Sequence, residues 1–344
     1  MIRKTILLKL FLLLSLGQSI AQIVPQWSSV LTYTDNLAQS YQGSMMGMET
    51  HPDGRIYLLR KDFGNNRRRL ICFDDHGLPV WHTDRDSIPL GENLQNDLLR
   101  GPEGNLYAAF NGYDHQGIMG FDSLGTPSWR WEQPDCLFNT ACYMYGMQTD
   151  DLGNLYAVKN RDSLPSTNWR DFVHLLKFDP NGTLLWDTVP IRSGTVSFSP
   201  HLALDPNGGS YLAYVYSDVP PMIACISRIE TDGTISWVKL DSVNTVFEIH
   251  ADDAGNLLTI RNQWVGGLLR LVKYSSTGSL LWDELVPFAN VSQIKTDHLG
   301  NIYLLGETID NIKVAKYDTL GQLIWEYMFV PTNNASERSM DMSI

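Results

Sequence analysis

Between Gly300 and Trp325 the chain reads GNIYLLGETIDNIKVAKYDTLGQLIW, short apolar runs separated by polar turns rich in Asp, Asn and Gly. The same rhythm continues along most of the sequence. No stretch sustains the 3.6-residue period of a helix over about 12 positions, so the pattern predicts strands throughout. Asp, Asn and Gly tolerate the left-handed backbone that tight hairpins require, which marks the polar breaks as turns.

The ending of that stretch recurs. GLPVW, GTPSW, GTLLW, GTISW, GSLLW and GQLIW place Trp81, Trp129, Trp186, Trp237, Trp282 and Trp325 four residues after a glycine. Its beginning recurs too, as DGRIYLL, EGNLYAA, LGNLYAV, NGGSYLA, AGNLLTI and LGNIYLL. The glycines of that second set, at 54, 104, 153, 208, 255 and 300, are 50, 49, 55, 47 and 45 residues apart. A period of this size marks a repeat architecture. Each repeat holds four strand-like runs, and four antiparallel strands repeated radially make a β-propeller. The prediction is an all-β chain of four-stranded blades, with repeats at about 43–84, 94–132, 144–187, 198–239, 246–284 and 291–327. The six tryptophans are expected on outer strands, docked against the neighbouring blade.

Asp-x-x-Gly-Asn-x-Tyr followed by Gly-x-x-x-Trp resembles the blades of exported bacterial β-propeller proteins. SSTGSLLWD, at 275–283, is similar to the tryptophan-docking motif of pyrroloquinoline-quinone propellers. The resemblance runs over residues 24–327 and implies a fold, not a chemistry, because such repeats serve many functions. The adjacent cysteine pair of many quinoprotein dehydrogenases is absent here. Residues 24–33, with Trp27, read as an extra outer strand, and 337–344 as the start of a further inner strand. The expectation is seven blades, the last incomplete or the chain truncated.

Residues 1–21 carry Arg3 and Lys4, then an apolar run to Leu16, then Ser19-Ile20-Ala21, the pattern of a cleaved signal peptide. The run is too short for a permanent membrane span. The expected product is a secreted single-domain monomer without membrane insertion. Net charge is −12 for the 344 residues and −15 without the leader, which disfavours nucleic acid as a partner. Cys136 and Cys142 sit six apart in a turn-rich stretch and are a candidate disulfide after export. Cys72 and Cys225 lie in apolar runs and are expected to pack as small hydrophobes.

Candidate chemistry falls in two places. The connections opposite the glycine turns vary, and variable loops on a rigid scaffold are where binding groups concentrate. Tyr113, Trp169 and Trp264 lie there, together with the long insertion at 160–171, and an aromatic rim with amides suits a sugar or peptide. The first strands supply the second place. Counting back from each turn glycine, Met48, Leu98, Met147, Leu202, Ile249 and Ile294 are apolar, so their neighbours point the other way. Those neighbours include Asp97, Gln148, His201, Glu248, His250 and Gln293. Acids beside histidines suit ligand binding, a divalent metal or acid–base work. The Asp-x-x-Gly turns lack the crowded oxygens of a calcium loop, and their Asp is expected to cap its own turn. No nucleophile elbow, zincin helix or phosphate loop is present. The sequence therefore predicts a non-enzymatic binding scaffold for a protein or carbohydrate ligand, with no cofactor, metal or catalytic residue. The rival is an extracytoplasmic propeller enzyme, a polysaccharide lyase, glycosidase or quinone-dependent dehydrogenase.

Overall fold

The computed structural model describes residues 43–62, 67–83, 98–111, 116–133, 144–162, 171–190, 195–217, 223–241, 244–263, 269–309, 311–329 and 342. Among them the chain forms six four-stranded antiparallel sheets, each built in sequence order from consecutive strands. Blade one runs from Gly43–Thr50 to Pro79–His82, blade two from Leu98–Arg100 to Pro127–Glu132, and blade three from Met144–Thr149 to Leu184–Thr188. Blade four runs from Thr195–Leu204 to Ile235–Asp241, blade five from Asn244–Ala251 to Leu280–Val286, and blade six from Asn290–Thr296 to Leu323–Phe329. Two compact units divide the chain near Val196 and Ser197, with three blades assigned to each. The expected leader, residues 24–33 and 337–341 lie outside the described residues.

Turn chemistry is the same at twelve hairpins. In blade three the Gly153 N–H is donated to the Asp150 carbonyl, and the Asp150 N–H to the Asn154 carbonyl. The Asp150 carboxylate accepts the N–H groups of Leu152 and Asn154 at 3.1 and 2.8 Å, so the side chain caps its own turn.

The second hairpin glycine has another duty in blades two, three, five and six. At Gly125 φ is +78°, and an added Cβ would lie 2.3 Å from the Trp81 ring of the preceding blade. Gly182 stands in the same relation to Trp129 at 2.3 Å, Gly278 to Trp237 at 3.1 Å, and Gly321 to Trp282 at 3.0 Å. The indole N–H groups of Trp237 and Trp282 are donated to carbonyls of those same neighbouring turns, Ser276 at 2.9 Å and Thr319 at 3.1 Å. At these four positions the glycine four residues before a tryptophan receives the tryptophan of the blade before it. Trp186 and Trp325 pack within their own blades on Tyr156 and Tyr303.

Apolar clusters lie between neighbouring blades rather than inside one. One joins blades one and two, another two and three, and within the second unit one joins four to five and another five to six. First strands lie side by side between blades one and two, two and three, and five and six, while the first strand of blade five lies against the second and third strands of blade four. The apolar sixth residues Leu98, Met147, Leu202, Ile249 and Ile294 are buried, while Gln148, His201, Glu248, His250 and Gln293 are partly open. The register slips by one residue just ahead of Gly47, Gly146, Glu248 and Gln293, leaving Met46, Tyr145, Phe247 and Ser292 as bulges. A bulge bends the strand and re-aims the side chains that follow it.

Candidate functional site

His201 on the first strand of blade four and Glu248 on that of blade five meet with Nδ1 and Oε2 3.5 Å apart. Each keeps 26% of its side-chain surface accessible. His250, two residues further along, is more enclosed, and its Nε2 lies 3.0 Å from Thr296 Oγ1 of blade six. Burial, reinforced by the Lys295 cation, pushes its imidazole down to about 4, so it is neutral at ordinary pH. The Gln293 side-chain oxygen accepts the Met342 N–H, which brings the end of the chain against blade six. These four residues belong to the second unit. Gln148 lies in the first, one alternation away from Gly146, where an added Cβ would meet nothing within 4 Å. Asp97, Tyr113, Trp169 and Trp264 lie outside the described residues, as do Cys136 and Cys142. Cys225 is a free, buried thiol that burial pushes up to about 12, and Cys72 is free and buried as well.

Ionisable side chains away from this row are engaged in the framework. Arg261 of blade five reaches Asp283 of its own blade at 2.7 Å and Asp241 of blade four at 2.9 Å, and Arg270 pairs with Asp283 at 2.5 Å. The corresponding positions of blades two and three hold Lys159 against Gln133 and Asp187, and His174 against Asp187 at 2.6 Å. Burial is the largest single influence on the Asp187 carboxyl and would raise it, but the hydrogen bonds and charges of His174 and Lys159 together hold the group below the usual range. In blade six Lys313 does the same work with Glu326. These are joints between strands and blades, and their partners occupy the groups a ligand would use.

The first-turn aspartates of blades three to six are engaged in the same way. Lys177, Arg228, Lys273 and Lys316 each stand opposite the tryptophan of their blade and reach the Asp of its first turn. The distances to Asp150, Asp205, Asp252 and Asp297 are 3.8, 2.6, 2.8 and 3.2 Å. Three of these cations also lie over a tyrosine ring of the second strand, Tyr156, Tyr211 or Tyr303, at 4.8–5.2 Å. The sequence pattern pointed to a self-capping Asp and missed the cation, which a column-by-column alignment of the six repeats places five residues before the second turn glycine. Blades one and two lack both halves of the clamp. His51 and Cys72 occupy the two positions in blade one, Gly101 and Gly120 in blade two. Asp74, Asp75 and His76 bring three ligand-type atoms within 4.8 Å of one another. Asp74 is committed to the N–H groups of His76 and Leu78, and Asp75 to the His76 ring.

No family model matches the sequence. Solved structures resemble it in fold. The Dos1 propeller aligns with a TM-score of 0.51 and 12% identity, over 78% of this chain and 67% of that one. The chain is a β-propeller by fold. Polysaccharide lyase Uly1 gives a TM-score of 0.53 at 9% identity, covering 94% of this propeller and 87% of its own chain. Prolyl oligopeptidase B from Galerina marginata gives 0.54 at 10% identity over 80% of this propeller, which spans only 40% of the peptidase. Among the described residues, no helix is long and apolar enough to cross a membrane.

Proposed function

We propose that the protein is an exported binding propeller, of the kind its blade motifs resemble, that holds a glycan or peptide at the end carrying the long variable loops. The observation that carries this reading is the contrast between the two ends of the blades. In blades three to six the first-turn aspartates are spent on their own backbone and on the clamp cations, whereas His201 and Glu248 remain partly accessible in the first-strand row. A hydroxyl-rich or amide-rich ligand resting on the loops would present its polar groups to that pair. Glycan and peptide arrays test the proposal. His201→Ala with Glu248→Ala should weaken capture at least tenfold while the melting temperature stays within a few degrees. Asp232→Asn, on an exposed turn, should leave capture intact. The opposite pattern would place the site at the wrong end.

A second reading draws on the same contact. A histidine held by a carboxylate is also the arrangement of a general base with its orienting group. The corresponding proposal is an extracytoplasmic enzyme such as a polysaccharide lyase, glycosidase or quinone-dependent dehydrogenase. Depolymerisation of a glycan that His201→Ala abolishes would replace the binding reading with this one.

A further inference from the structure

Turn apices face water, and in several hairpins the residue just before the turn glycine is polar, as with Asn181, Asn207, Asp232 and Thr277. In blades two and three it is Leu124 and Leu152, which are 67% and 81% exposed. Neither turn needs a leucine, because each contributes only its backbone N–H, to Asp122 at 2.9 Å and to Asp150 at 3.1 Å. Prolines lie beside the blade-three turn. A Cβ on Gly153, next to Leu152, would touch Pro180 at 3.4 Å and Pro102 of the preceding blade at 3.8 Å. Leu124 precedes the glycine that lies under Trp81, and Leu78, also exposed, leads into the strand that carries Trp81. Three exposed leucines, Leu78, Leu124 and Leu152, thus stand at turns of one unit where other turns carry polar residues, and apolar side chains held in water at turns are available to a partner.

Charge identifies the occupant. Among the six turns of blades one to three, Asp53, Asp75, Glu103 and Asp151 are exposed carboxylates. Arg55 is the one Lys or Arg in those turns, and it is tied to Asp53 at 2.7 Å. A second copy of the chain would set acid against acid, and an anionic bilayer would be repelled in the same way. From this we infer that the turn end of blades one to three docks a protein that presents an apolar surface bordered by lysine or arginine. The surface is independent of the loop end and of His201. Blade six carries the same substitution at Leu299 and Leu320, whose turns touch through Gly300 and Thr319.

The test uses the full chain and a labelled synthetic amphipathic helix built from leucine and lysine, followed by fluorescence anisotropy. Wild type and His201→Ala should bind it equally and release it as salt rises. Leu124→Asn with Leu152→Asn, which installs the residue other turns use, should bind at least tenfold more weakly with an unchanged melting temperature. The proposal fails if the peptide does not bind wild type, or binds both forms alike. It also fails if analytical ultracentrifugation shows a wild-type dimer that the double variant abolishes, or if the leucines drive co-sedimentation with phosphatidylglycerol vesicles.

Discussion

At Gly125, Gly182 and Gly153 the same backbone requirement meets different surroundings. All three have positive φ, but a methyl at Gly125 collides with the Trp81 ring whereas one at Gly153 meets Pro180 at an ordinary 3.4 Å. Gly153→Ala should therefore cost about 1 kcal/mol of left-handed strain. Gly125→Ala should cost roughly 3 kcal/mol, because overpacking adds to the strain. Urea midpoints of the two variants measure the difference directly. His250 makes a prediction of another kind. Its folded-state value of about 4 lies below that of an unfolded histidine, near about 6.5, so the unfolded chain binds the extra proton first. Stability contributed by the neutral ring is full above the unfolded value and is lost as pH falls through that window. The loss should amount to roughly 2–3 kcal/mol. His250→Asn should flatten the fall in urea midpoint between those two pH values, and an unchanged slope would show that the ring titrates freely.

On the scale of strands and blades, two devices hold the sheet stack, and each predicts its own mutational signature. Trp282 is half-buried, so Trp282→Ala should cost roughly 2–3 kcal/mol, somewhat less than truncation of a fully buried aromatic. Trp282→Phe keeps much of the contact with Gly321 but loses the bond to Thr319, and should cost less, near the ~1 kcal/mol of a hydrogen bond plus imperfect packing. The Lys273–Asp252 clamp has both partners nearly enclosed, so removing either one strands the other charge. Lys273→Met and Asp252→Asn should each destabilise by about 3 kcal/mol, with the double variant well short of their sum. Calorimetry on the four proteins closes that cycle. Turn glycines and docking tryptophans were legible in the sequence because their chemistry is local and their spacing repeats. The clamp was not, since Lys273 and Asp252 are 21 positions apart and meet only once strand register is known. Nor were the bulges before Glu248 and Gln293, which shift no residue type and leave no mark in the hydrophobic pattern. The alternation that exposes His201 and Glu248 was readable, whereas their approach to 3.5 Å depends on how neighbouring blades sit together.

For the molecule as a whole, stability is unevenly distributed. Blades three to six each carry the turn-end clamp, and blades one and two have lost both partners together. Amide hydrogen exchange should therefore open the second strand of blade one, Ile56–Asp62, before that of blade five, Leu257–Gln263, since local stability follows the buried contacts each region makes. Equal protection would mean that the tryptophan joints alone set the order. Those joints have a historical consequence. Blades two and five each offer a bare glycine to the blade before them and a tryptophan to the blade after them, so a copy of either brings both halves of a fitting that another copy can complete. A gene segment duplicated in tandem would fold into place with its seams already matched. Copying could precede specialisation, leaving the tips and loops free to diverge while the fitting stayed the same.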